Sequence, residues 1–440
     1  MESKFKRSLI AALVTGSLAA PVASYATNGM SMLGYGSKSI SMGGTAIANP
    51  QDSLAGAANP AAIGVVGNRF DIGMEVFKPT AEASLGTPPL EQDSTASHYG
   101  PWGVFFMPHL AFSKVYSEDV TLGFSFVPYG GGASRYEKNL YNYAISPTSP
   151  DVNNPVGISL DIAQMNPTVA FRFHDKHYVG GTLVLSFQKF RAIGLDYFAN
   201  FTQTGLTTTT LTDNGNDYAF GAGLRLGYLG KFMDDRLMLG AVATSKIYMT
   251  KFDKYSDLFA EQGDMDTPAN FGVGLSFKLT PKLTTAFDIT YTLYEDVAAI
   301  GNAPPTTGDN PTHSIYPVSQ ELNALGKDGG MGFGWQNQTV YKLGFAYDVS
   351  DAVVLRTGWN YGKSPIPSDN GALLFNIVAP ATTQNHFTLG ATYRSDPKTE
   401  WNFMYMYAFG YYQTGPTYIG DRATIGMRQN SLGLTYGLKF

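Results

Sequence analysis

The chain has 440 residues, of which 15% are charged, 13% aromatic and 49 glycine, with a formal net charge of −5. A soluble domain carries about 25% charged residues and a disordered chain few aromatics. The composition therefore excludes disorder and argues against an ordinary soluble enzyme, and without a basic excess nucleic acid is set aside as a partner. Cysteine is absent, which leaves no disulfide, thiolate metal site or cysteine nucleophile.

Residues 1–26 read as a secretory signal peptide. Lys4, Lys6 and Arg7 form a positive start, Leu9 to Ala20 an apolar run, and Ser24-Tyr25-Ala26 a small-residue cleavage site. The apolar run is far short of the ~20 residues a spanning helix needs, and no later stretch supplies one. Export without a membrane helix is expected.

Residues 27–67 are small, polar and glycine-rich, with turn signals at Asn49-Pro50 and Asn59-Pro60 and no period of two. About 40 residues without regular structure are unusual unless they have a role or are disordered. Either this segment fills a lumen as a hatch, or it is a flexible periplasmic tail.

Residues 68–440 read as alternating strands. Phe70, Ile72, Met74 and Val76 share one face, as do Val120, Leu122, Phe124 and Phe126. Leu224, Leu226 and Tyr228 alternate with Gly223, Arg225 and Gly227, and Leu432, Leu434, Tyr436, Leu438 and Phe440 close the series. Fourteen such runs are expected, joined by long and short connections in strict alternation. The third run is placed at 119–128, and 129–157 and 411–426 are placed among the long loops. Bacterial outer-membrane barrels have even strand numbers, long outer loops and short periplasmic turns. A soluble β-sandwich alternates too, but its polar face would carry Lys, Glu and Asp where this one carries Gly, Ser, Thr and Asn. The fold expected is all-β: a fourteen-stranded antiparallel transmembrane barrel in the outer membrane of a Gram-negative bacterium.

Several stretches carry a family likeness. They are Gly34-Tyr35-Gly36, Met42-Gly43-Gly44-Thr45-Ala46, Asn49-Pro50-Gln51-Asp52 and Asn59-Pro60-Ala61 near the start. Gly334-Trp335, Tyr341-Lys342-Leu343-Gly344, Leu355-Arg356-Thr357-Gly358 and Ser364-Pro365-Ile366-Pro367 follow later. Together they resemble the long-chain fatty acid transporter family of Gram-negative outer membranes, which also includes aromatic-hydrocarbon channels. The resemblance implies an N-terminal hatch inside the barrel and passive uptake of hydrophobic molecules by way of an apolar lumenal pocket, hatch movement and a gap in the wall. It implies a kinked third strand beside Asn59, Pro60 and Ala61, with Gly123 and Pro128 as the residues that could support the kink, and the opening is placed near Leu122, Gly123 and Phe124. It also implies that Phe440 is read by the barrel assembly machinery.

A hydrophobic substrate needs an apolar catching surface. Tyr197, Phe198, Phe201, Leu258 and Phe259 on the outer loops are candidates. A carboxylate head would need a lumenal donor, and inward parity offers Arg225, Lys278, Lys342 and Arg356. Each could instead pair with an acid such as Asp288 or Asp348 and hold the wall. The family's fatty-acid members carry a lysine where this sequence has Gln336, which leaves room for a neutral substrate. Long-chain fatty acids are the first expectation, with neutral aromatic hydrocarbons and a general polar-solute porin as alternatives. A surface adhesin working through the long loops is a third class.

Enzyme signals are poor. His174 and His177 flank a short turn, no Gly-x-Ser-x-Gly occurs, and Asp213 to Asp217 lacks the closing glutamate of a calcium loop. No catalysis, cofactor or metal is expected, and the partners are the substrate and outer-membrane lipids around a monomer.

Overall fold

Side-chain alternation builds the wall. The structure is a computed structural model that describes residues 28–86, 89–93, 104–145, 153–202, 207–304 and 324–440; the expected signal peptide lies outside them. Fourteen antiparallel strands form one closed sheet. They are β1 (Arg69–Leu85), β2 (Phe105–Val115), β3 (Val120–Tyr136), β4 (Val156–Phe173), β5 (His177–Ile193), β6 (Asp217–Phe232) and β7 (Leu237–Thr244). The second half comprises β8 (Asn270–Thr280), β9 (Leu283–Thr292), β10 (Gln338–Asp348), β11 (Val353–Gly362), β12 (Asn385–Arg394), β13 (Thr399–Pro416) and β14 (Arg422–Lys439). β14 pairs with β1 from Arg69↔Lys439 to Leu85↔Ala423 and closes the barrel. Short pieces at Leu90–Asp93 and Tyr248–Met249 extend the sheet beside β1 and β6.

The outer face is apolar where a soluble protein could not tolerate it. Phe220, Leu224, Leu226 and Leu432 are each about 60% exposed, while inward neighbours such as Ala219, Arg225 and Ser431 are buried. That inversion fits a wall solvated by lipid. Every backbone group at that depth needs a partner in the protein, and closing the sheet supplies one.

Two expected loops are strand instead. β3 runs on to Tyr136, so the 129–157 loop is overturned in its first part. β13 and β14 extend to Pro416 and back from Arg422, so the 411–426 loop shrinks to a tight turn. Both extensions break strict alternation at a bulge, one between Pro128 and Gly130 and one between Ala408 and Tyr411. A bulge shifts parity by one, which hides the continuation from a period-two reading.

A barrel this wide is not filled by its own side chains. Residues 28–67 lie within it as short turns and helices: Gly36–Ile40, Ser53–Ala57, Pro60–Ala62 and Ile63–Val66. Asn59 caps the third of these by accepting from Ala61 N at 3.1 Å, with Pro60 at its first position. Wall glycines let the segment lie flush. A Cβ on Gly180 or Gly227 would strike Asn59 to Ala61, one on Gly240 or Gly274 would strike Ile47 and Ala48, and one on Gly344 or Gly358 would strike Met42 and Gly43. The many inward glycines of the sequence are thus the bed of the hatch.

Candidate functional site: an apolar cavity beside a break in the wall

The wall is interrupted between β2 and β3. Their ladder runs from Val115↔Thr121 only as far as Leu110↔Phe126. Beyond that point Phe105 to His109 still pair with β1, and Val127 to Tyr136 still pair with β4. The two edges have therefore separated from each other while each keeps its other neighbour. Val127 to Gly131 are all buried in succession, so β3 has lost its lipid face and turned inward. Tyr129 is the extra residue of the bulge, and Gly131 has φ 141°. That conformation suits glycine.

Freed backbone at this depth is costly unless satisfied. The start of the hatch supplies the partners. Met32 N donates to Tyr129 O at 2.9 Å, Gly131 N donates to Met30 O at 3.0 Å, and Ser31 bridges Gly130. Residues 28–32 thus occupy the inner side of the kinked strand in place of β2.

An apolar cavity with about 670 Å³ of empty space, part of it open to solvent, lies against the same stretch. Its wall includes Gly29 and Met30 of the hatch, Gly131, Gly132 and Ala133 of β3, Ile158 and Leu160 of β4, and Phe190 of β5. Phe259, Met265, Ile300, Phe333, Trp335, Ala379 to Ala381 and Met427 complete it. None of these is ionisable. Trp335 is held by its Nε1 donating to Asn376 Oδ1 at 2.7 Å, and Asn376 donates in turn to Phe333 O at 2.7 Å. Ala133 also belongs to an apolar cluster with Met32, Phe77, Phe105, Met107, Met404 and Met406, which includes two residues of the separated β2 edge.

A second, polar cavity, with about 740 Å³ of empty space that is partly open to solvent, also borders the 28–33 segment and is lined by Arg225, Asp288, Lys342, Tyr129 and Asn28 among others. Its charges fix the hatch. Arg225 donates to Ala57 O at 2.5 Å and to Thr244 Oγ1 at 3.1 Å. Asp288 Oδ2 accepts from Ala46 N at 2.8 Å and Ile47 N at 3.0 Å, and Lys342 Nζ donates to Leu33 O at 2.9 Å. A third anchor is a buried ion network. Lys38 and Arg69 both bind Glu400, Arg69 binds Asp71 at 2.7 Å, and Asp71 accepts from Ser53 N and Oγ. Asp52, which caps Ser53–Ala57 by accepting from Leu54 N, sits among these groups. Burial, reinforced by Asp71, pushes the Asp52 carboxyl up to about 6. Burial and the nearby Arg69 bring the Lys38 ammonium down to about 8 against the pull of Glu400.

The expected site residues fall in three groups. Leu122, Gly123 and Phe124 are not at the opening, because each is paired on both sides, with β2 and with β4. Asn59, Pro60 and Ala61 are not beside the break. They rest on β5 and β6, where Asn59 Nδ2 donates to Tyr228 O at 2.9 Å and to Ile47 O at 2.7 Å. It is Met30 to Met32 that meet the kink, although Ile63 does touch Gly123.

Tyr197, Phe198, Leu258 and Phe259 are not an exposed catching surface, being at most 5% exposed. Tyr197, Phe198 and Phe201 pack with Tyr141, Phe375 and Tyr418 into an aromatic roof, and only Phe259 reaches the cavity. Arg225 and Arg356 hold hatch rather than wall acids, since Arg356 Nε donates to Gln51 Oε1 at 2.8 Å. Gln336 is exposed and its backbone N donates to Pro365 O at 2.8 Å; its neighbour Trp335 is the one that lines the cavity. The sequence reading missed Met30, Gly132, Phe190, Phe333 and Met427. The triple Gly130-Gly131-Gly132 in mid-strand was the available signal.

A wide transmembrane barrel, closed by a bonded hatch and holding an apolar cavity at a break in its wall, defines an outer-membrane transport barrel. The model of the family described as outer membrane protein transport protein (OMPP1/FadL/TodX) matches residues 13–415, and the chain belongs to that family. A 94-residue stretch is 37% identical to a 47 kDa outer membrane protein of Pasteurella multocida (strain Pm70); it covers 19% of this chain and 21% of that protein. In structure the chain is similar to the toluene transporter TodX of P. putida, with TM-score 0.66 and 18% identity over 93% of this chain and 99% of the other. The toluene transporter TbuX of Ralstonia pickettii gives TM-score 0.65 and 17% identity over 93% and 99%. A FadL homologue of Pseudomonas aeruginosa gives 0.66 and 14% over 94% and 100%. At these identities the likeness carries the fold.

Proposed function

We propose that this protein is a passive channel for small, neutral hydrophobic molecules. They collect in the apolar cavity and leave sideways through the break between β2 and β3. The observation that carries this reading is the lining of the cavity: no ionisable side chain among the described residues, on the very stretch of β3 that has left its neighbour. Each buried CH₂ gains about 0.8 kcal/mol, and a sideways exit into lipid keeps that gain. An axial exit would have to pass a hatch held by Arg225, Asp288 and Lys342. A bare carboxylate in such a cavity would forfeit several kcal/mol of solvation, which favours a neutral hydrocarbon over a fatty acid.

Fatty acids remain the second reading, favoured by Arg225 and Lys342 in the adjoining polar cavity. Uptake of labelled toluene and oleate by transporter-deficient cells tests both. A Cβ on Gly132, which lines the cavity, meets nothing within 4 Å, so Gly132→Phe starts a bulky side chain in open space at the cavity. We expect it to abolish toluene uptake at matched outer-membrane levels. Unimpaired uptake of both compounds by this variant would sink the proposal, and uptake of oleate alone by the intact protein would favour the second reading.

A further inference from the structure

The lipid-facing side of β1 and β14 changes character within one residue pair. Val76 and Leu432 face each other, and the next outward pair is Lys78 and Asn430. Arg428 and Arg422 follow outward on β14, both exposed. Counting along β14, Asn430 lies ten residues from Phe440. At ~3.3 Å per residue and a tilt of ~40° that rise is ~25 Å, the height of a barrel's apolar band. Lys78 therefore stands at the outer edge of the hydrocarbon and Arg428 about 5 Å above it at headgroup level, while Arg422, six residues further along β14, lies about 15 Å beyond Arg428.

Their partners leave charge to spare. Arg428, 51% exposed in its side chain, approaches Glu82 at 3.4 Å, and Tyr412 OH also donates to Glu82 at 2.6 Å. Lys78 and Arg422 have no side-chain hydrogen bond or ion pair among the described residues. Lys78 and Arg428 thus face one internally bonded carboxylate, Glu82, on a surface where lysine or arginine gains nothing from hydrocarbon. Arginine grips phosphate in a bidentate fork, and lysine adds a point charge.

We propose that Lys78 and Arg428 form a docking site for the phosphate groups of an outer-leaflet glycolipid, lipopolysaccharide, which lies with its acyl chains on Val76 and Leu432. Such a lipid would be seated on the wall beside β2, on the flank of the sideways exit. Charge complementarity and depth both select a lipid-borne phosphate over a soluble one.

Native mass spectrometry of the full-length protein in detergent tests this, using bisphosphorylated lipid A as probe. The intact protein is expected to bind it about tenfold more tightly than dephosphorylated lipid A. In the Lys78→Gln/Arg428→Gln variant that preference is expected to vanish, with heat-modifiable migration confirming a folded barrel. Should the double variant not fold, Lys78→Gln alone, which removes no bond within the wall, is expected to weaken the preference. Equal binding of the two lipids by the intact protein would overturn the proposal. So would an unchanged preference in the variants, or displacement of lipid A by millimolar inorganic phosphate.

Discussion

Asp52 couples two roles in one carboxyl. It caps a helical turn of the hatch and stands within the buried ion network at the wall. Its docked value of about 6 lies above the ~3.9 of an unfolded aspartate, so docking draws in a proton between those values. The stability this proton lends the docked hatch is full below about pH 4 and is lost as pH rises through about 6. Amide hydrogen exchange over residues 36–58, corrected for intrinsic rates, should therefore show stronger protection at pH 5 than at pH 7. Asp52→Asn keeps an acceptor for Leu54 N and should lessen that slope. An equal slope in both forms would assign the proton to another group. Lys38 works in the opposite window: with its docked value lowered to about 8, its neutral form is favoured as pH rises, so it adds nothing to the acid-side trend.

At the scale of elements the decisive feature is one surplus residue. Tyr129 has no place in the β3–β4 register, which passes from Pro128↔Ala163 to Gly130↔Ile162. Deleting Tyr129 would restore continuous parity and let β3 rejoin β2. Toluene uptake should then fall by about tenfold or more, since the apolar exit would be sealed while the rest of the ladder stands unchanged. A deletion variant that folds and still transports at the intact rate would place the exit elsewhere. This one residue also explains what the sequence could and could not disclose. Regular strands such as β8, β11 and β14 were legible because lipid on one side and hatch on the other enforce a period of two. Pro128, one of two residues that could support the kink, does stand at the bulge, but the opening does not fall at Leu122 to Phe124, because those residues alternate well, and good alternation is the mark of a paired strand. Contacts such as Met30 with Gly131, or Arg356 with Gln51, join residues 101 and 305 positions apart; no local pattern encodes them. The loop aromatics were visible as a group, but only packing could divide roof from cavity.

For the whole molecule the question is whether the lumen is a pore or a sealed wall with a side door. Barrels of sixteen to eighteen strands leave an aqueous channel unless plugged, and fourteen strands enclose ample room for solutes if the centre is empty. Here the centre holds the hatch, tied to β1, β6, β9, β10, β11 and β13 through Asp71, Arg225, Asp288, Lys342, Arg356 and Glu400. Releasing it means breaking several buried charged hydrogen bonds at once, each worth about 1.5–3 kcal/mol. A hatch held so firmly does not leave for each passing molecule, so ions should find no path along the barrel axis. Planar-bilayer recordings of the intact protein should show baseline current, and a form lacking residues 28–67 should show steps of porin size. Porin-like steps from the intact protein would mean that polar solutes pass beside the hatch. A sideways exit would then be unnecessary, and the general-porin alternative would replace hydrophobic uptake as the account of this barrel.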